Sequence, residues 1–178
     1  MRPGGRRRSK HRQKWVEMRK RVGKKEQVVV NTALKLVRNY QIFREDKNEG
    51  ETYANDRLIN FLKQKKLAVK NKGIHSAKMF GETFRPECFI QRTGEIPLCA
   101  FECKKLTDTS AKARWKEGLS QSILYSNCYK SVILIFYDYT KSDKYIKAFA
   151  SKKSIESLFA ASLKDAFRIH VVLIRPQW

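Results

Sequence analysis

The stretch "RPECFIQRTGEIPLCAFECKKL", residues 85–106, holds two apolar segments separated by the turn-forming residues "RTGE". Two such segments around a short polar turn with glycine predict a β-hairpin. Because side chains alternate along a strand, Glu102 and Lys104 share one face of the second strand, while Cys103 takes the other. Charged side chains are seldom buried without a partner or a function. The pattern therefore predicts a hairpin with a half-buried polar site near the end of its second strand.

A second carboxylate belongs to the same hairpin. Glu87 begins the first strand directly after Pro86, and a turn at "RTGE" brings it close to Glu102 across the strand pair. Two carboxylates held together repel each other unless a cation joins them, and carboxylate oxygens are ligands suited to Mg²⁺ or Mn²⁺. The hairpin therefore predicts a divalent metal site.

The elements around the hairpin predict an α/β domain with a mixed central β-sheet flanked by helices. Apolar residues recur at helical spacing in some segments, and short runs rich in β-branched residues mark others as strands. Residues 68–84 are ambiguous and fit a strand interrupted by glycines. The predicted helices are residues 26–45, 51–67, 110–130 and 151–167, and the later predicted strands are residues 131–140 and 168–176.

The composition is strongly basic. Lys and Arg number 39 against 17 Asp and Glu, which gives a formal net charge of +22 at pH 7. This charge exceeds what solubility requires and fits a polyanionic partner, of which nucleic acid is the first candidate. An acidic membrane surface would also attract it, but no segment approaches the roughly 20 continuous apolar residues of a transmembrane helix. A chain of 178 residues is long enough for one domain with a real core and a tail.

Half of the net charge lies in a basic arm at the start of the chain, where the first 25 residues include 12 Lys or Arg and a single Glu. Self-repulsion is expected to keep this segment partly disordered until phosphates neutralise it, which makes Arg6, Arg7 and Arg8 candidate nucleic-acid contacts. A solvated tail, a localisation signal and a transit peptide are alternatives. We therefore divide the chain into an arm, residues 1–25, and a globular domain, residues 26–178.

Other common chemistries find little support in the sequence. The four cysteines have no CxxC spacing and no secretory signal is recognisable, so reduced thiols in a cytoplasmic protein are expected, associated with the nucleoid or nucleus. Organelle targeting remains an alternative. There is no Gly-rich phosphate loop and no Ser-His-Asp arrangement, and His170 alternates within an apolar strand as a core histidine does.

The hairpin acids carry a family resemblance. Pro86-Glu87, 14 intervening residues and Glu102-Cys103-Lys104 together resemble the PD-(D/E)XK nuclease superfamily, with Glu87 in place of the usual aspartate. The resemblance implies a restriction-endonuclease-like core with the element order αβββαβ, which agrees with the order of elements read from the sequence. It covers roughly residues 45–140 and places the two acids and the lysine in one active site.

Two further positions extend the resemblance. Gln121 and Tyr125, in "QSILY", are similar to the QxxxY signature of the RecB-like branch and share one face of the helix that follows the hairpin. The acidic residue that the superfamily carries on its first core helix has no motif to locate it. Glu51 is our choice because it lies at a helix start, and Glu49 and Asp56 are alternatives.

The resemblance also implies the chemistry. Glu87, Glu102 and the backbone carbonyl of Cys103 would bind Mg²⁺ or Mn²⁺, which polarises the scissile phosphate and activates a water molecule. Lys104 would orient that water and offset the charge on the pentacoordinate phosphate, with Gln121 positioning the nucleophile or the lysine. Phosphates flanking the cut would contact the basic residues around the site: Arg85, Lys105, Lys112, Arg114 and Lys116.

The sequence thus predicts a metal-dependent endonuclease that hydrolyses phosphodiester bonds of DNA, including branched or foreign DNA, with RNA as an open alternative. The competing hypothesis is a non-catalytic DNA- or RNA-binding protein in which Glu102 and Lys104 form a structural pair, and a nucleic-acid packaging protein is a third. Cleavage of both strands would favour a homodimer, with the apolar face of the helix in residues 26–40 as its interface.

Overall fold

The computed structural model describes residues 22–71, 77–79, 82–91 and 97–177. Most of the predicted basic arm, including Arg6, Arg7 and Arg8, lies outside the described residues. The first described helix begins at Lys24, so regular structure starts two residues before the predicted domain boundary. In the described part of the chain, no helix is both long enough and apolar enough to cross a membrane.

Helices form where the apolar periodicity predicted them, with differences at the ends. The first helix is shorter than predicted and stops at Arg38, after which Ile42 still reaches the core from the following loop. The seven-residue helix Lys144–Ala150 was not predicted, because a segment this short contains too few turns to show a helical period. The helices are α1 Lys24–Arg38, a 3₁₀ helix Arg44–Asn48, α2 Glu51–Gln64, α3 Ala111–Ser126, α4 Lys144–Ala150 and α5 Ile155–Phe167.

Five strands form the central sheet, in the spatial order β1-β4-β5-β6-β7. The pairs β1–β4 and β4–β5 are antiparallel, whereas β5–β6 and β6–β7 are parallel, so the predicted mixed sheet is confirmed. A separate hairpin, β2–β3, occupies the segment whose structure the sequence left ambiguous. The strands are β1 Val69–Asn71, β2 Ala77–Met79, β3 Glu82–Phe84, β4 Cys88–Ile90, β5 Cys99–Leu106, β6 Ser131–Asp138 and β7 Ile169–Ile174.

Helices cover both faces of this sheet and define two apolar clusters. On one face, α1 and α2 pack over the odd-numbered side chains of β5, including Phe101 and Cys103. On the other face, α3 and α5 pack over the even-numbered side chains, including Ala100 and Leu106. All eight residues of β6 are buried, as expected for a parallel strand covered on both faces. Glu102 and Lys104 therefore belong to the face that α3 covers.

The apolar stripe of α1 is used inside the domain. Val30, Leu34 and Val37 are buried in the cluster beneath α1 and α2. These side chains are not available to a second copy of the chain, so the predicted homodimer would need another surface. An amphipathic helix buries its apolar face against whichever sheet lies nearest, here its own.

The position of the candidate site follows from the unequal lengths of two neighbouring strands. Pairing between β4 and β5 ends with Cys88 opposite Phe101, while β5 continues to Leu106 beside β6. The last residues of β5 thus run past the start of β4. Charged side chains from three elements converge at this end of β5, which has no strand partner on its β4 side.

Candidate active site

Lys104 lies at the centre of the site, and its ammonium contacts three carboxylates. The Nζ atom is 2.8 Å from Glu102 Oε1, 3.1 Å from Glu117 Oε1 and 3.7 Å from Glu51 Oε1. Its side chain is only 5% exposed. Burial alone would lower the pKa of Lys104, but Glu102 and Glu51 together with the hydrogen bond to Glu117 raise it above the ordinary value. The lysine is therefore a fixed positive charge.

Glu102 is the most deeply buried carboxylate of the site, at 1% exposure. One of its oxygens pairs with Lys104, whereas Oε2 has no donor within 3.5 Å among the residues that the structure describes; the phenol of Tyr125 is the nearby group that can donate to this carboxylate. Burial raises the pKa of Glu102 to about 7; Lys104 opposes this shift, and Glu87 and Glu51 add to it. A buried acceptor without a donor is costly, and a cation or a proton can satisfy it.

Glu87 lies beside Glu102 where the β4–β5 pairing ends. It is the residue before β4, and its amide donates to the Phe101 carbonyl at 3.1 Å, one position away from the bond that a continued register would require. Glu87 contributes to the raised pKa of Glu102, so the two carboxylates lie close enough to interact.

The backbone of β5 also faces this edge. The Phe101 carbonyl accepts from Glu87, and the Lys105 amide donates to Glu51 Oε2 at 3.0 Å, so both residues direct their backbone groups away from β6. Because backbone groups alternate along a strand, the carbonyl of Cys103 points to the same side. The thiol of Cys103 is buried on the opposite face against Tyr137.

Glu51 is the acidic residue that α2 brings to the site. It is the first residue of α2, and its two oxygens contact Lys104 and the backbone of Lys105. Of the two alternatives left open by the sequence, Asp56 is exposed one turn further along the helix. Glu49 reaches β5 through its backbone carbonyl, which accepts from the ammonium of Lys105.

Helix α3 closes the site from the other side. Gln121 Oε1 is buried without a hydrogen-bond donor among the described residues. Tyr125 is buried one turn further on, where burial, followed by Glu102 and Glu87, raises the pKa of its phenol. Both residues of the predicted motif thus belong to the helix face that covers the acids.

Glu117 was not predicted and lies one helical turn before Gln121. Its two oxygens bind Lys104 and, at 2.8 Å, the guanidinium of Arg114. Burial alone would raise the pKa of Glu117, but the hydrogen bonds from Lys104 and Arg114 lower it below its ordinary value. The spacing of four residues from Glu117 to Gln121 to Tyr125 is the sequence signal that could have identified it.

The predicted phosphate contacts fall into three groups. Arg85, Lys112 and Lys116 are exposed, whereas Arg114 is half-buried in its ion pair with Glu117. The ammonium of Lys105 donates to the backbone carbonyls of residues 46, 47 and 49, so it fixes the loop before α2.

The oxygen donors of the site fit a magnesium ion. Among the described residues, no three or more His, Cys, Asp or Glu side chains form a cluster that could hold a metal by themselves. Mg²⁺, however, is commonly held by one or two carboxylates, with waters and substrate phosphates completing its shell. The unpaired Oε2 of Glu102 is such a donor, with Glu87 and the Cys103 carbonyl facing the same edge.

The comparisons with known proteins add no relative. No protein-family model matches this chain, and no curated protein matches it. The interpretation of the site therefore rests on its own geometry and charge.

Proposed function

We propose that the protein is a metal-dependent endonuclease with a restriction-endonuclease-like core, which hydrolyses phosphodiester bonds of DNA. Apart from the separate β2–β3 hairpin, the elements α2, β1, β4, β5, α3 and β6 occur along the chain in the order αβββαβ. The net charge of +22 supports a polyanionic substrate.

The observation that carries the proposal is the unpaired Oε2 of Glu102 beside the ammonium of Lys104. A buried acceptor without a close donor lowers stability, so pairing with Lys104 alone does not satisfy this carboxylate. Polar groups held in costly surroundings are typical of functional sites. Here the Glu102 carboxylate and the edge of β5 would form a cation-binding site, and the ammonium of Lys104 is the fixed positive charge beside it.

Each residue then has a distinct task. Glu87, Glu102 and the Cys103 carbonyl would hold Mg²⁺ or Mn²⁺, which when bound polarises the phosphate and lowers the pKa of a bound water. Lys104 stabilises the negative charge that develops on the phosphoryl oxygens, since its ammonium is preorganised by surrounding carboxylates. Gln121 presents a free carbonyl oxygen that can accept a hydrogen bond from the attacking water.

The remaining protein surface would bind the substrate backbone. Arg85, Lys112 and Lys116 are exposed on the elements that flank the site. Contacts of this kind position a nucleic acid without reading its sequence. The second candidate function, a non-catalytic nucleic-acid-binding protein, is favoured by the same charge but does not account for the unpaired oxygen of Glu102.

The proposal is tested by cleavage of labelled linear, plasmid and four-way-junction DNA, with an RNA control, in Mg²⁺, Mn²⁺ or EDTA. We expect metal-dependent cutting by the wild-type protein and none by Glu102→Gln, which keeps the shape of the side chain but removes its charge. The preferred substrate identifies the class of nuclease. Equal binding of all substrates by both proteins, with no cutting by either, would favour the binding protein instead.

A further inference from the structure

We propose that Glu117 is a positioning residue for Lys104, holding the lysine ammonium in place when Glu102 is engaged by the metal. The inference rests on the proposed function and deepens it. Glu117 lies on α3, outside the motifs that resemble the nuclease superfamily, and it contacts the ammonium at 3.1 Å.

The need for a second partner follows from the contacts of Glu102. In the structure, Lys104 is the hydrogen-bonded partner of this carboxylate, at 2.8 Å. A divalent cation that binds Glu102 repels the ammonium and competes for the same carboxylate. Without another acceptor, the lysine would lose its fixed place at the moment when catalysis requires it.

Glu117 is arranged to supply that acceptor. Its Oε2 atom is held by Arg114 at 2.8 Å, which leaves Oε1 directed at Lys104. Glu51 also faces the ammonium, but at 3.7 Å, and its other oxygen accepts the hydrogen bond from the Lys105 amide. Glu117 is therefore the closer of the two remaining carboxylates.

The stem of the lysine is fixed from the same helix. A Cβ atom built on Gly118 would lie 3.1 Å from Lys104 Cγ and 3.0 Å from Leu134 Cδ1, so α3 packs directly onto the lysine. Because this stem cannot swing freely, an acceptor moved by about 1.5 Å, one bond length, loses contact with the ammonium. The length of the Glu117 side chain, and not its charge alone, thus determines whether it can hold the Lys104 ammonium.

This requirement sets the experiment, which compares Glu117→Ala, Glu117→Gln and Glu117→Asp with the wild-type protein and with Ser120→Ala as the control. Ser120 is exposed on the same helix. Gln keeps the length and the acceptor oxygen but removes the charge, whereas Asp keeps the charge but shortens the side chain. The two readouts are steady-state cleavage and the affinity for Mn²⁺ measured by electron paramagnetic resonance without DNA.

We expect kcat to fall roughly tenfold or more in the Ala and Asp variants, with KM within about twofold, because small displacements of catalytic groups are costly. Ser120→Ala should stay within about threefold of the wild-type rate, and the Gln variant should fall between it and the Ala and Asp variants, because its single acceptor oxygen faces two donors, Lys104 and Arg114. Mn²⁺ should bind roughly threefold more weakly to the Ala and Asp variants, since Lys104 then competes for Glu102 without its closer alternative partner.

The opposite ranking, in which Glu117→Asp cleaves DNA faster than Glu117→Gln, would show that the charge of Glu117 matters more than its length and would overturn the inference. Wild-type behaviour of Glu117→Ala in both readouts would overturn it as well. If the wild-type protein binds Mn²⁺ but cuts nothing, the proposed function fails while the Mn²⁺ affinities still decide the role of Glu117. Absence of Mn²⁺ binding by the wild-type protein would overturn both proposals.

Discussion

The ammonium of Lys104 lies 2.8 Å from the carboxylate of Glu102, two residues earlier on the same strand. Neighbours of this kind on one face of a strand can form a salt bridge without further function, so the catalytic role requires a separate test. Lys104→Met keeps most of the apolar stem and removes only the charge. We expect cleavage to fall by roughly 100-fold or more, the loss typical for removal of a preorganised stabilising group.

Binding separates this effect from loss of the fold. Affinity of Lys104→Met for DNA in EDTA should stay within about threefold of the wild-type value, because binding of the substrate backbone is assigned to exposed basic residues rather than to this buried lysine. Lys153→Met, which removes an exposed ammonium before α5, provides the control for loss of one positive charge. Equal cutting by Lys104→Met and wild type would assign the lysine to the scaffold.

The raised pKa of Glu102 gives the metal-free protein a characteristic pH dependence. Its pKa is about 7 in the folded protein, against an ordinary value of 4.5 for a glutamate. Between these values the folded state binds more protons than the unfolded state, so the free energy of unfolding falls as pH rises from about 4.5 to about 7. The contribution of this group is on the order of 3 kcal/mol at most.

Glu102→Gln should remove that decline. Urea unfolding in EDTA, measured from pH 4.5 to pH 8, should show a flatter profile for the variant than for the wild-type protein. Since other groups titrate in the same range, the difference between the two profiles is the relevant quantity. Parallel profiles would mean that the carboxylate titrates normally in the folded state.

Gly118 permits the close approach of α3 to β5 and β6. An added Cβ would lie within 3.0–3.3 Å of Leu134, Lys104 and Phe136, closer than ordinary van der Waals contact. Overpacking of this kind typically costs 1–3 kcal/mol, and the gain in helix propensity from alanine offsets about 1 kcal/mol of it. Gly118→Ala should therefore lower the free energy of unfolding by about 1 kcal/mol in urea denaturation. A higher free energy of unfolding for Gly118→Ala would mean that α3 can shift away from the sheet to accommodate the added methyl group.

The basic arm should act through salt-dependent binding. Residues 1–21 include ten Lys or Arg and a single Glu. Removal of these residues should weaken DNA binding and make the slope of log K against log salt shallower, by about 0.9 for each duplex phosphate contact that is lost. Fluorescence anisotropy over a range of salt concentrations measures both effects. An unchanged slope would mean that the arm does not contact phosphates.

The sequence predicted the hairpin acids well because strand geometry alone brings them together. Glu102 and Lys104 share a face through alternation, and the antiparallel pairing of β4 with β5 brings Glu87 to the same edge, while the predicted turn "RTGE" lies outside the described residues. Glu117 escaped prediction since its contact with Lys104 depends on how closely α3 approaches the sheet at Gly118. That distance is a property of packing, which no local pattern encodes.

Two other differences have the same origin. Lys105 follows the site in sequence and was predicted to bind phosphate, yet its ammonium points to the backbone of the loop before α2. Helix α4 is too short for a recognisable period, and it packs on the domain through Phe149, whose ring stacks on Trp115 at a centroid distance of 5.2 Å. Tertiary contacts determine the role of each of these side chains.

The hydrogen bond between the Lys105 amide and Glu51 joins residues 54 positions apart in the chain. Contacts of such long range form late in folding, because closing a large loop is entropically unfavourable until the sheet exists. A nascent chain on the ribosome would carry Glu51 and the hairpin acids before α3, which follows them in the sequence, is made. If the protein cuts DNA, the architecture itself delays that activity until synthesis and folding are finished.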